Sequence, residues 1–319
     1  MDNFDFAPGR YRSWVDQTAT FPRPAAAAAQ RHASLRNCVT ATRAQALEFA
    51  EATTPMSTLH RFEPGSFDFL EGGFPYSAGV VARPGFEIRR VRFSDVLPVA
   101  AGFARIADIL RAEGRPATAL CAAELRSPQP FTMAGFKDFN RDYVDVLTAW
   151  GLVRGGLNPV ARSNVCPLHG PPAEPGFHAF CYTVQAGDSS AGASASSSPL
   201  PPAAQASTFV VAGSGEWPEH LPFPAGIVAR GDVSPAGMAA KIGYVLQTMR
   251  SRCEGLGADW HGVSGAHIYT GHDIHPFLGN HFAASGLLRN GLDWQVCAPP
   301  ILELEFEMDV RRIRHETLA

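Results

Sequence analysis

The sequence predicts an α+β protein in which one unit, a mixed β-sheet backed by two helices, is written twice. Three observations carry this. Residues 185–207 exchange nearly every large apolar side chain for Ser, Ala, Gly and Pro, and read as a linker. The flanking segments, 37–184 and 208–319, repeat one order of strand and helix signals. Both also carry a late strand ending in Val-Cys, Asn164-Val165-Cys166 and Gln295-Val296-Cys297. Residues 1–36, which include the run PAAAAAQ, read as an N-terminal tail.

Each unit opens on a short apolar strand ending in small residues, GFPYSAGVV in the first and TFVVAGSGE in the second. A helix follows. In the first unit Ser94 is a candidate N-cap, and Phe103, Ile106, Ala107 and Leu110 share one face; in the second, Ser234-Pro235 opens a helix with Met238, Ile242, Val245 and Met249 in one stripe. Both helices are expected to stop at Glu-Gly, residues 113–114 and 254–255. Next come a strand (TALCAAELRS; GVSGAHIYTG), a proline (Pro128; Pro276) and a second helix (GFKDFNRDYVDVL; PFLGNHFAASGLL). Two strands close each unit, the last reading FHAFCYTV or LELEFEMDV.

A chain of 319 residues with 45% hydrophobic and 18% charged residues can build a core. Lys+Arg 27 against Asp+Glu 30 gives a net charge of -3, which argues against nucleic acid as a partner. No apolar run reaches the roughly 20 residues of a membrane span. The N-terminus opens with acids instead of a basic and then apolar segment, so a cytoplasmic location is expected. The cysteines at 38, 121, 166, 181, 253 and 297 show no paired spacing and read as reduced thiols.

Several residues could carry chemistry. Arg162, on a strand, offers a planar fork for a carboxylate or else pairs with a surface acid. Glu303, Glu305 and Glu307 alternate with Leu304, Phe306 and Met308, which puts three carboxylates on one strand face. That face is either solvent-exposed or, if covered, holds a carboxyl of raised pKa suited to general-base work. Asn140 and Tyr143 lie three apart on one helix face and reach a ligand together, or Tyr143 is core. Cys166 and Cys297 lack a His at motif spacing and read as packed thiols. The set His267, His272, Asp273, His275 and His281 lacks metal-site spacing, so no metal is expected. The segment AGSGEW after a strand lacks the Lys-[Ser/Thr] of a phosphate loop.

These residues resemble the RidA (YjgF) family of enamine/imine deaminases. LEFEMDVRR is similar to the family's closing strand, which implies that Glu305 is the catalytic glutamate. FNRDY and PVARSNV resemble its second helix and its arginine strand, which puts Asn140, Tyr143 and Arg162 on the ligand side. In the first unit the glutamate position falls on His178, and in the second the arginine position falls near Asp293. The two halves would then complement one another, Arg162 from one and Glu305 from the other.

The resemblance further implies cofactor-free hydrolytic deamination of a small enamine or imine acid, of 2-aminomuconate or 2-aminoacrylate type, by a homotrimer. It also implies a pocket bordered by Gly213. The chorismatases are similar in joining two such units, and some have a counterpart of Cys297, which implies that Cys297 also lies on the substrate side. They suggest an alternative, release of pyruvate from chorismate. A non-catalytic protein that binds small carboxylates is the third reading.

Overall fold

The structure is a computed structural model that describes residues 57–187 and 207–319. The expected tail, Cys38, the start of the first unit and most of the linker lie outside the described residues. Those described belong to one unit, Met56–Ala319.

The first half runs β1 (Leu59–Phe62), β2 (Phe67–Leu70), β3 (Gly79–Ala82), β4 (Phe86–Pro98), α1 (Val99–Ala112), β5 (Leu120–Arg126), α2 (Met133–Ala149), β6 (Ala161–Pro167) and β7 (Gly176–Gln185). The second runs β8 (Phe209–Gly215), α3 (Pro235–Gly255), β9 (Gly265–Tyr269), β10 (Asp293–Gln295), β11 (Cys297–Ala298), β12 (Glu307–Arg312) and β13 (Glu316–Leu318). Parallel and antiparallel pairings mix, as the α+β reading requires.

The sheets do not divide by half. One has the order β1-β2-β3-β8-β12-β9-β10, the other β11-β6-β5-β7-β4-β13. The first three strands therefore extend the second half's sheet, with Gly79, Val80 and Val81 paired to Val211, Val210 and Phe209. In return, β11 and β13 pair with β6 and β4. Both edges of the first half's sheet and the β8 edge of the second half's are thus covered by strands of the other half, which satisfies backbone groups that would otherwise stand open.

Helix signals hold where an apolar stripe and a cap coincide. In α3, Ser234 accepts from the Gly237 N–H, Pro235 opens the first turn, and Met238, Ile242, Val245 and Met249 are buried against the seven-stranded sheet. In α1, Phe103, Ile106 and Leu110 are buried, and Gly114 takes a positive φ just past the end. Two expectations need correction. Ser94 does not cap α1: β4 stays paired with β7 as far as Pro98, and the Ser94 hydroxyl donates to the Ala319 carbonyl. The second half's second helix is only a short 3-10 turn at 275–277, a π-helical segment at Leu278–Ala283 and another 3-10 turn at 287–290, divided at Gly286 with φ 86°.

A buried ionic network ties the sheets together. Arg90 of β4 forks onto Glu124 of β5 at 2.6 Å through both Nε and Nη2. Arg311 of β12, in the other sheet, reaches the same carboxylate at 3.0 Å and Asp309 at 2.9 Å. Burial alone pushes the Glu124 carboxyl up, but Arg311 and Arg90 outweigh it and hold it well below the usual carboxylate range. Replacing Glu124 by Gln removes the one carboxylate that both guanidinium groups share and leaves Arg90 with the half-exposed Glu316 and Arg311 with Asp309, a loss worth about 3 kcal/mol. Denaturant unfolding is expected to show that loss; a change below about 1 kcal/mol would show that the network is not a joint between the sheets.

Candidate active site

Period-2 geometry on β6 turns Arg162 and Asn164 to one face, and the helical repeat of α2 turns Met133, Phe136, Lys137, Asn140 and Arg141 toward the same space. The end of β8, Gly213–Gly215, closes another side, and Ile301, Leu304 and Glu307 complete it from the approach to β12. The result is a cavity of about 460 Å³, of the size that takes a small organic ligand. Both halves of the sequence line it.

Arg162 is 3% exposed, yet neither Nη1 nor Nη2 has a hydrogen-bond partner. The rings of Tyr143, Tyr76 and Phe136 surround its guanidinium carbon at 4.9, 5.0 and 5.5 Å. This aromatic box stabilises the cation through its faces and leaves the donor fork open, because a π-face accepts no directed N–H bond of normal strength. Asn164 Nδ2 and Asn140 Oδ1 are also buried without partners. Buried polar atoms without partners are costly, and a carboxylate set against the fork would satisfy the guanidinium.

Glu307 faces this cation from the other half. Burial drives its carboxyl well above the usual range; Asp309 and Glu216 add to the rise, and Arg162 and Arg126 oppose it. Gly213 makes its position possible. A Cβ on residue 213 would stand 2.3 Å from Glu307 Oε1 and 3.0 Å from Ser163 Cβ, so only glycine leaves room for the carboxyl.

A second buried pair fixes the backbone that leads into Glu307. Glu216, wholly buried after β8, accepts the Glu305 N–H at 2.7 Å, the Phe306 N–H at 3.1 Å and Lys241 Nζ at 3.1 Å. Lys241, also wholly buried, donates to the Val228 carbonyl as well. It sits on the apolar stripe of α3, where a lone lysine was the available signal.

This anchoring changes the assignment of the three glutamates. Glu303 takes a positive φ of 79° in a turn and pairs with Arg230. Glu305 precedes β12 and turns away, its Oε2 2.8 Å from His272 Nε2 on a half-exposed surface. Glu307 is the first residue of β12, and its face continues through Asp309 and Arg311 while Met308 and Val310 pack on α3. The expected single face of three carboxylates is therefore broken, and Arg162 meets Glu307 in the cavity where Glu305 was expected.

The other named residues divide. Asn140 and Gly213 line the cavity, whereas Tyr143 stands behind Arg162 as ring support, its buried hydroxyl unpartnered. Cys297 pairs with Pro167 across β11 and β6, packs against Val165 and Tyr269, and has its thiol pushed up to about 11, away from the cavity lining. His178 is pushed down to about 3 by burial, and Asp293 pairs with His267 at 3.2 Å. Among the described residues no cluster of His, Cys, Asp or Glu is arranged to hold a metal ion. Tyr76, Phe136 and Glu216 carried no sequence signal, because their roles depend on segments far away in the chain.

The raised pKa of Glu307 has a thermodynamic sign. The folded chain keeps a proton that the unfolded chain releases near the ordinary value, so Glu307 costs stability increasingly as pH rises above that value. The melting temperature of Glu307→Gln relative to the parent is expected to climb between about pH 4.5 and pH 8. A difference independent of pH would mean that Glu307 ionises normally.

A family model described as 2-aminomuconate deaminase CnbZ matches residues 59–317. The 2-amino-5-chloromuconate deaminase of Comamonas testosteroni is 41% identical over 258 residues, covering 81% of this chain and 97% of the relative. Among solved structures, a chorismatase aligns with a TM-score of 0.43 at 13% identity, over 74% of this chain and 77% of its own. The YjgF gene product of E. coli aligns with a TM-score of 0.25 at 16% identity, over 34% and 81%. The family match spans both halves and every strand that lines the cavity, and the chain belongs to the 2-aminomuconate deaminase CnbZ family.

Proposed function

We propose that this chain hydrolyses a 2-aminomuconate-type enamine to the 2-oxo acid and ammonia in the cavity between its halves. The observation that carries the reading is a buried, unpartnered guanidinium facing a buried carboxyl of raised pKa in one cavity. The relatives named for this reaction support it. Arg162 takes the carboxylate next to the reacting carbon through Nη1 and Nη2.

Glu307, protonated at rest, gives its proton to C3 of the enamine, which becomes the iminium. As a carboxylate it then takes a proton from water while the water oxygen bonds to C2. It passes that proton to the nitrogen, the C–N bond breaks and ammonia leaves. Its final step removes the proton from the new carbonyl oxygen and restores the starting state. A carboxyl of ordinary pKa would be ionised at neutral pH and unable to begin this cycle.

With 2-aminomuconate as substrate and ammonia release as the readout, Glu307→Gln is expected to lower kcat by about 10²-fold or more. Arg162→Lys, which keeps the charge and loses the fork, is expected to raise KM. In the parent, kcat/KM should fall as pH rises through the pKa of Glu307, because the free protein loses the required proton. Full activity in Glu307→Gln together with loss in Glu305→Gln would move the acid–base role to Glu305. Gly213→Ala, which crowds Glu307 Oε1, is expected to cost about 10²-fold in activity, and unchanged rates would show that the carboxyl need not sit there.

A further inference from the structure

The cavity has a second cation that the chemistry above does not use. Lys137 lies on the same face of α2 as Asn140, three residues before it, and lines the cavity while remaining exposed. Among the described residues it makes no hydrogen bond or ion pair. Arg141, one turn further along, also lines the cavity but is held by Asp138 at 2.8 Å. The acid at this mouth, Glu219, lies 3.5 Å from Arg252, which partly offsets its charge. Phe136, Ile301 and Leu304 make an apolar wall in the same space. A buried cation and an apolar wall with an exposed cation suit an extended molecule that is anionic at both ends and apolar between them.

We propose that Lys137 binds the distal carboxylate of the substrate and so selects a dicarboxylate over a monocarboxylate of the same length. The inference rests on the deaminase reading only for which carboxylate faces Arg162. An ammonium at an exposed rim gains a charge-assisted contact in a partly screened setting, so its contribution is modest. A monocarboxylate leaves Lys137 hydrated and loses only that contact.

The test is binding of two unreactive probes to the full chain by calorimetry: muconate, with two carboxylates, and sorbate, which has the same six-carbon diene and one. The parent is expected to prefer muconate by about tenfold, a difference of about 1.4 kcal/mol. Lys137→Met should bring the ratio close to one, and Lys137→Arg should keep it. The muconate preference of the parent should also shrink with added salt.

An unchanged ratio in Lys137→Met, no preference in the parent, or a loss confined to Arg141→Met would overturn the assignment. Thermal unfolding of each variant controls for folding. Turnover of 2-aminomuconate separates the two claims. An unchanged ratio in an active Lys137→Met protein sinks the role of Lys137 alone, and a muconate preference that is kept in a parent without turnover, and lost in Lys137→Met, sinks the deaminase reading alone.

Discussion

The site depends on the carboxylate of Glu216. Buried at the end of β8, it gathers Lys241 of α3 and two backbone N–H groups of the approach to β12. Three donors converging on one buried carboxylate tie the irregular segment before β12 to the end of β8 and to α3. From that position Glu305 leaves toward His272, and Glu307 begins the strand inside the cavity. A buried lysine and glutamate add little to net stability once their desolvation is counted. Their use here is geometric, in setting which of two glutamates meets Arg162.

Arg162 and Glu307 line one cavity, and both side chains are withdrawn from solvent. Three rings replace water around the Arg162 guanidinium and leave its two terminal nitrogens free. In the same cavity, burial and the neighbouring Asp309 and Glu216 push the Glu307 carboxyl well above the usual carboxylate range. Burial disfavours charge on both groups, and each answers differently: a guanidinium stays ionised, whereas a carboxyl takes up a proton. One environment thus leaves a cation with an open fork beside a carboxyl that resists ionisation, the pair on which the proposed deamination draws. The ionic joint of Arg90, Glu124 and Arg311 holds the sheets that carry them.

Much of this was legible in the residue order. The caps and apolar stripes located α3 and most of α1, since local hydrogen bonds and one-sided burial are written at short range. The family resemblance marked Arg162, Asn140 and Gly213, all on the cavity. What failed was local too: Ser94 looks like a cap, but pairing with a distant strand keeps β4 extended past it. The alternating glutamates looked like one strand face because period 2 is visible in sequence. The positive φ of Glu303 and the hold of Glu216 on residues 305 and 306 are not.

The sequence by itself determined an α+β chain, and placed an arginine and a glutamate-rich segment in different halves. Only the tertiary structure decided that the halves exchange edge strands, that three aromatic rings enclose Arg162, and that Glu307 faces it. Strand exchange follows from the partners available at each sheet edge. The identity of the facing glutamate follows from a carboxylate about 90 residues earlier. Both depend on contacts between residues far apart in the chain, whose strength is set by burial, and burial exists only once the fold has closed.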